Sequence, residues 1–282
     1  MRWTGDRGDI EDARGRSGLG GGAVPIGLGG FVVLLLLSWA TGTNLFTLLG
    51  TDSQPSSTGT SGQVQSSPEE EKLADMVGAV TKDVQDMWSE RLGAQYERTR
   101  TVLFRDSIQS ACGFAQSATG PFYCPADRKV YLDLGFFDEL SRRFGAPGDF
   151  AQAYVIAHEL GHHVQNLLGL NARAAQDRRT GEDSASVALE LQADCFAGNW
   201  GHTASERGRF QAGHVELDPG DADEAIRAAG AIGDDRLQKM STGHVMPDRF
   251  THGSSAQRVA WFGRGMESGD PRACTTSAAT TR

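Results

Sequence analysis

The chain has 282 residues, with 27 Lys and Arg against 36 Asp and Glu and a formal net charge of −9. That balance, with no basic cluster interleaved with aromatics, gives no footing to a nucleic-acid partner. The length allows one sizeable domain with appendages, and a hydrophobic fraction of 39% is ordinary for a soluble fold.

Residues 1–22 carry Arg2, Arg7, Arg14 and Arg16 together with Asp6, Asp9, Glu11 and Asp12. Residues 23–40 read AVPIGLGGFVVLLLLSWA without a charged side chain, and Leu45, Phe46, Leu48 and Leu49 extend the run. A helix needs about 20 apolar residues to cross a bilayer, so 23–49 reads as a single transmembrane anchor. The next basic residue is Lys72. The positive-inside rule therefore expects residues 1–22 in the cytoplasm and everything after Thr41 outside, a single-pass protein of the cell membrane. A cleaved signal peptide is the alternative, since Ser38-Trp39-Ala40 offers a small-x-small site. The long, acidic n-region argues against it.

Residues 50–68 are rich in Ser, Thr and Gly and read as a flexible linker. From Glu69 a helical pattern begins, with Leu73, Met76, Val77, Val80, Val84 and Met87 on one stripe. The folded domain is expected over 69–282, ending in substance near Cys274. Cys112 and Cys124 flank a stretch with Gly-Phe and Gly-Pro turn signals that reads as two short strands and a loop. A local bridge there would leave Cys195 to pair with Cys274, although four cysteines allow three connectivities and the sequence leaves all of them open. Lys129–Asp133 reads as a further strand.

A helix opens near Asp149, taken as its N-cap, and stops near Gly169. It carries Ala157-His158-Glu159-Leu160-Gly161-His162-His163. His158 and His162 lie one turn apart on one face, where two imidazoles reach a single ion. Glu159 adjoins the first ligand and is placed to move protons of a metal-activated water without binding the metal. His163 is rotated about 100° off that face and reads as packing or surface. Gln165 and Leu168 stand where the long metzincin signature needs Gly and His, so the third ligand comes from elsewhere.

The segment from Asp183 is compatible with a second helix and contains Glu190-Leu191-Gln192-Ala193-Asp194. Its two carboxylates, at i and i+4, share one face amid Val187, Ala188, Leu189, Leu191 and Phe196. Carboxylates in such surroundings need partners, and a metal site supplies them. One can ligate while the other accepts a hydrogen bond from a ligand imidazole. This E-x-x-A-D arrangement after H-E-x-x-H resembles the gluzincin metallopeptidases, and that resemblance implies Glu190 as the third ligand and Asp194 as the partner of a ligand histidine.

The opening MRW with EDARG at 11–15, PFYCPAD at 121–127, AHELGHHVQ, LELQADCFAG and FTHGSSAQR at 250–258 are together similar to one family. It is the bacterial family of membrane-anchored neutral zinc metallopeptidases. By analogy with zincins, the strand at Lys129–Asp133 is expected to offer its edge to an extended substrate. His252, in a loop before an apparent helix over 255–266, is the first candidate for stabilising the oxyanion.

The expectation is thus a helix-rich α+β, zincin-like metallopeptidase domain behind a single N-terminal transmembrane helix. One Zn²⁺ per chain is held by His158, His162 and Glu190, with Glu159 and His252 catalytic and a peptide or protein as substrate. Two imidazoles, a carboxylate and an open position favour zinc over iron or copper. The rival reading is a non-catalytic, metal-binding envelope scaffold of the same fold.

Overall fold

The structure, a computed structural model, describes residues 1–15, 66–177 and 179–276. The expected anchor at 23–49 and nearly all of the linker at 50–68 lie outside the described residues. Among the described residues no helix is long and apolar enough to cross a membrane.

In chain order the elements are β1 (Ile10–Asp12), α1 (Pro68–Leu92), β2 (Thr101–Phe104), β3 (Ser107–Ser110), β4 (Gly113–Gln116), β5 (Phe122–Cys124) and β6 (Lys129–Asp133). They continue with α2 (Gly135–Arg142), α3 (Asp149–Leu167), α4 (Leu170–Ala174), α5 (Ala185–Ala204), α6 (Asp221–Ala231), α7 (Asp234–Thr242) and α8 (Ser255–Ser268). This is the helix-rich α+β arrangement that the periodicity predicts. Helix α1 starts where its chemistry dictates. The Ser67 hydroxyl accepts from the Glu70 N–H, Pro68 fills a position that needs no donor, and three glutamates occupy the first turn. Its buried stripe of Met76, Val77, Val80, Val84 and Met87 was read from the sequence together with Leu73, which is only partly buried, and Trp88 joins it.

The main sheet has the order β1-β2-β6-β5. Strands β1, β2 and β6 run parallel, and β5 closes the sheet antiparallel to β6. Two expectations change here. First, β6 is hydrogen-bonded on both sides, to β2 and to β5, so its edge is not available to a substrate. The edge on that side belongs to β5. Second, residues 1–15 do not stand apart from the domain, because β1 supplies a parallel strand next to β2 with Ile10 opposite Thr101. The β3–β4 hairpin forms a separate two-stranded sheet, tied to the end of β5 by the Cys112–Cys124 disulfide.

The start of α3 also differs in detail. Gly148, at φ 125°, takes the N-cap position and Asp149 is the first helical residue. The orphan N–H of Phe150 is satisfied by Glu224 of α6 at 3.1 Å. A Cβ on Gly148 would lie 2.0 Å from that carboxylate, so only glycine fits. At the other end α3 stops at Leu167, and Gly169 adopts the left-handed conformation at φ 72°.

Helix α5 is the centre of the helical layer, buried along most of its length against α3 and α8. Its contact with α8 is a backbone approach. A Cβ on Gly198 would sit 2.2 Å from the Phe262 carbonyl, and one on Gly265 would sit 2.0 Å from the Cys195 carbonyl. The Cys195–Cys274 disulfide covers the same seam. Although alanine is a better helix former by about 1 kcal/mol, Gly198→Ala is expected to destabilise the domain by at least about 1–3 kcal/mol through overpacking, read as a fall in Tm.

Candidate metal centre

Helices α3 and α5 cross at Gly161, where a Cβ would be 3.2 Å from both Cα and O of Ala193. The close approach brings one turn of each helix face to face. The histidine turn of α3 thereby meets the carboxylate turn of α5. His158 Nε2 lies 3.2 Å from Glu190 Oε2, and His162 Nε2 lies 3.5 Å from Glu190 Oε1. One ligand atom from each of the three falls within 4.8 Å of the others. Two imidazoles and a carboxylate converging on one point together fit a zinc ion that keeps an open position. The same cluster fits a structural ion less well, because a closed site needs a fourth protein ligand and none is brought there among the described residues.

Each ligand is oriented from behind. Asp194 Oδ1 takes His158 Nδ1 at 2.8 Å, which leaves Nε2 turned to Glu190. Gln165, one turn on from the histidines, places its Oε1 2.8 Å from His162 Nδ1. Its own amide donates to the Leu189 carbonyl and to Gln192 Oε1, so its carbonyl faces the imidazole. Gln165 enters the sequence argument only as the residue that breaks the longer motif. The signal that could have found it is its position at i+3 from His162, within reach of the ring edge that faces away from Glu190.

Asp194 is fully buried and collects four donors. Besides His158 it accepts from the Tyr154 hydroxyl at 2.5 Å and from Arg258 of α8, whose Nε reaches Oδ2 and whose Nη2 reaches Oδ1, both at 2.9 Å. Arg258 is itself 3% exposed. Burial alone would raise the Asp194 carboxyl, and Arg258 together with His158 outweighs it and holds the group below its ordinary value. Burial would likewise lower His158, but Asp194 and Glu190 win and raise it to about 9. For Glu190 burial pushes upward, yet the two histidines bring the carboxyl well below the usual range. Arg258 was not assigned to the site from sequence, although it ends the FTHGSSAQR motif.

The site opens onto a cleft of about 660 Å³. Glu159 lies on its wall, 8% exposed, and takes no hydrogen bond from another described residue. His252 lies on the opposite lip with its side chain about half exposed. Its loop is anchored by Asp234 at the start of α7, whose Oδ2 accepts the N–H groups of Thr251, His252 and Gly253 at 2.6, 2.7 and 3.1 Å. His252 Nδ1 stands 3.2 Å from Asp234 Oδ1 and 2.9 Å from Thr251 Oγ1. Asp234 had no motif to mark it. The remaining histidines lie away from this face. His163 is buried between the Tyr123 hydroxyl and the Glu97 carbonyl, His202 packs on α8, and His214 pairs with Asp83. Both disulfides sit outside the cleft, and the four cysteines leave no free thiol for a metal.

With this geometry in place, comparison with known proteins defines the class. The sequence matches the family described as "Putative neutral zinc metallopeptidase" over residues 1–277. The chain belongs to that family. It is 44% identical over 296 aligned residues to "Uncharacterized protein YpfJ" of Escherichia coli K12, spanning 98% of each chain. It is also 44% identical over 207 residues to "Uncharacterized protein Rv2575" of Mycobacterium tuberculosis H37Rv, spanning 72% of this chain and 70% of that one. No solved structure matches.

Three outcomes test the centre. Glu190→Ala in the full chain should lose its zinc, measured by metal analysis after gel filtration, whereas Asp194→Asn should keep it with affinity reduced about 10- to 100-fold. Arg258→Met, which strands the Asp194 charge, should cost the metal-free protein about 3–5 kcal/mol in urea unfolding. Because zinc displaces the proton that Asp194 and Glu190 hold on His158, zinc affinity should fall as pH drops below about 9, by up to about tenfold per pH unit, in a chelator competition.

Proposed function

We propose that the protein is a zinc-dependent endopeptidase, with one zinc per chain held by His158, His162 and Glu190. The observation that carries the reading is the carboxylate of Glu159, which acts electrostatically on His162 and lines the same cleft as the three ligands. When bound, zinc supplies a Lewis acid for the scissile carbonyl and for water. The chain's own groups do the rest. Glu159 takes the proton of the attacking water and returns it to the leaving amine, a role suited to a carboxylate on the wall of the cleft next to a ligand histidine. His252 donates from Nε2 to the oxygen that gains charge, and Asp234 holds its ring in register for that bond.

The substrate is a peptide in extended form. The free edge of β5 borders the cleft through Phe122 and Tyr123, and backbone pairing along it fixes an extended chain without reading its sequence. Selectivity then falls to the apolar wall formed by Phe136, Phe144, Val155, Ile232 and Leu237, which suits a bulky apolar side chain next to the cleaved bond. The two disulfides support folding in an oxidising compartment, and residues 23–49 would hold the chain at a membrane there.

Glu159→Gln should retain a full complement of zinc and lose hydrolysis of an apolar-rich peptide library. Retained hydrolysis would remove the endopeptidase mechanism. His252→Ala should lower kcat by about 10²–10³ with zinc content unchanged, and Asp234→Asn should give a smaller loss of the same kind.

A further inference from the structure

The segment before the apolar run is built into the domain. Ile10 and Ala13 are buried, and β1 is in register with β2 from Ile10 opposite Thr101 to Asp12 opposite Leu103. Every arginine described in residues 1–15 is spent on a domain carboxylate. Arg2 reaches Glu216 and, at 3.1 Å, Asp218. Arg7 contacts Glu71 at 2.7 Å and Asp75 at 2.6 Å. Arg14, 5% exposed, meets Glu70 at 3.2 Å and Glu71 at 2.9 Å. Two of the segment's four acids are matched by the domain, Asp9 by Arg98 and Glu11 by Lys129, while Asp12 pairs with Arg14 at 2.6 Å and Asp6 accepts the Gly8 N–H within the segment. Helix α1 even carries a cut-out for this chain. A Cβ on Gly78 would lie 1.8 Å from the carbonyl oxygen of Asp6.

These contacts change what the basic residues mean. The positive-inside rule counts arginines near an apolar run because water and anionic lipid keep them in the cytoplasm. Arginines that are ion-paired to the folded domain report the domain's position instead. Arg14 and Ser66 both bond to Glu71, so the two described stretches that flank the apolar run meet on the same face of the domain. A chain that crossed a bilayer once between those points could not form β1.

We propose that residues 1–15 are the first strand of the metal-binding domain and lie on the same side of the membrane as the metal centre. The single-pass topology with a cytoplasmic N-terminus, expected from residues 1–49 alone, is incompatible with this packing. The proposal is independent of peptidase activity and stands whether or not the site is catalytic.

Two measurements on the full-length protein decide it. All four native cysteines are bridged, so Thr4→Cys and Ser241→Cys, both at exposed positions, each introduce one free thiol. A membrane-impermeant maleimide applied to intact cells should treat the two variants alike, both labelled or both protected until lysis. Labelling of Cys at 241 but not at 4 would overturn the proposal. The second measurement tests the docking itself by its sign. Gly78→Ala should raise Tm or leave it unchanged in a helix α1 with nothing against it, because alanine is the better helix former. It should lower Tm if Asp6 lies where the structure places it. A Tm that is unchanged or raised would also overturn the proposal.

Discussion

A carboxylate with no exposed surface, that of Asp194, is the constraint on which the rest of the centre depends. A buried charge of this kind is costly unless it is neutralised and fully hydrogen-bonded. Here Arg258 provides the opposite charge, while Tyr154 and His158, one turn apart on α3, provide the other donors. Three helices therefore meet at one functional group. α5 carries it, α3 presents the ligand it orients, and α8 supplies the charge that makes it tolerable. The small residues Gly161, Gly198 and Gly265 are the geometric counterpart, since they allow the backbones to come close enough for those side chains to reach.

Most of the chemistry was legible in the sequence because it sits on helices, where spacing and facing are the same information. His158 with His162 and Glu190 with Asp194 are each one turn apart, and the turn is all that two ligands need in order to converge. The helix boundaries followed from periodicity and stop signals to within a residue or two, as at Glu69 and Gly169. What stayed hidden was whatever depends on contact between distant segments. Arg258 lies 64 residues from Asp194, and Asp234 lies 18 residues from His252, and neither distance carries a period. The strand at Lys129–Asp133 was found by its composition. Composition does not say which strands flank it, so the edge was assigned to β6 when it belongs to β5.

Residues 1–15 show a local charge pattern that also has a tertiary counterpart. Read alone, four arginines in front of an apolar run look like a topogenic signal. In the fold, the three that are described pair with carboxylates of α1 and of the segment that precedes α6. Two of the acids interspersed among them, which made a signal peptide unattractive, find Arg98 and Lys129 in return. A segment of mixed charge, arranged to complement one surface, has the composition of an interface.

The Cys195–Cys274 bridge begins one residue after Asp194 and closes across 79 residues, almost to the end of the described chain. Arg258, which makes the buried carboxylate tolerable, lies inside that span. Arg258 and Cys274 must therefore both be in place before the buried ion pair and the bridge can close, although both histidines of the centre stand about a hundred residues earlier in the chain. During synthesis the metal-binding turn of α3 exists without the group that fixes its imidazole. A fragment that stops short of Arg258 lacks the charge balance of its own centre.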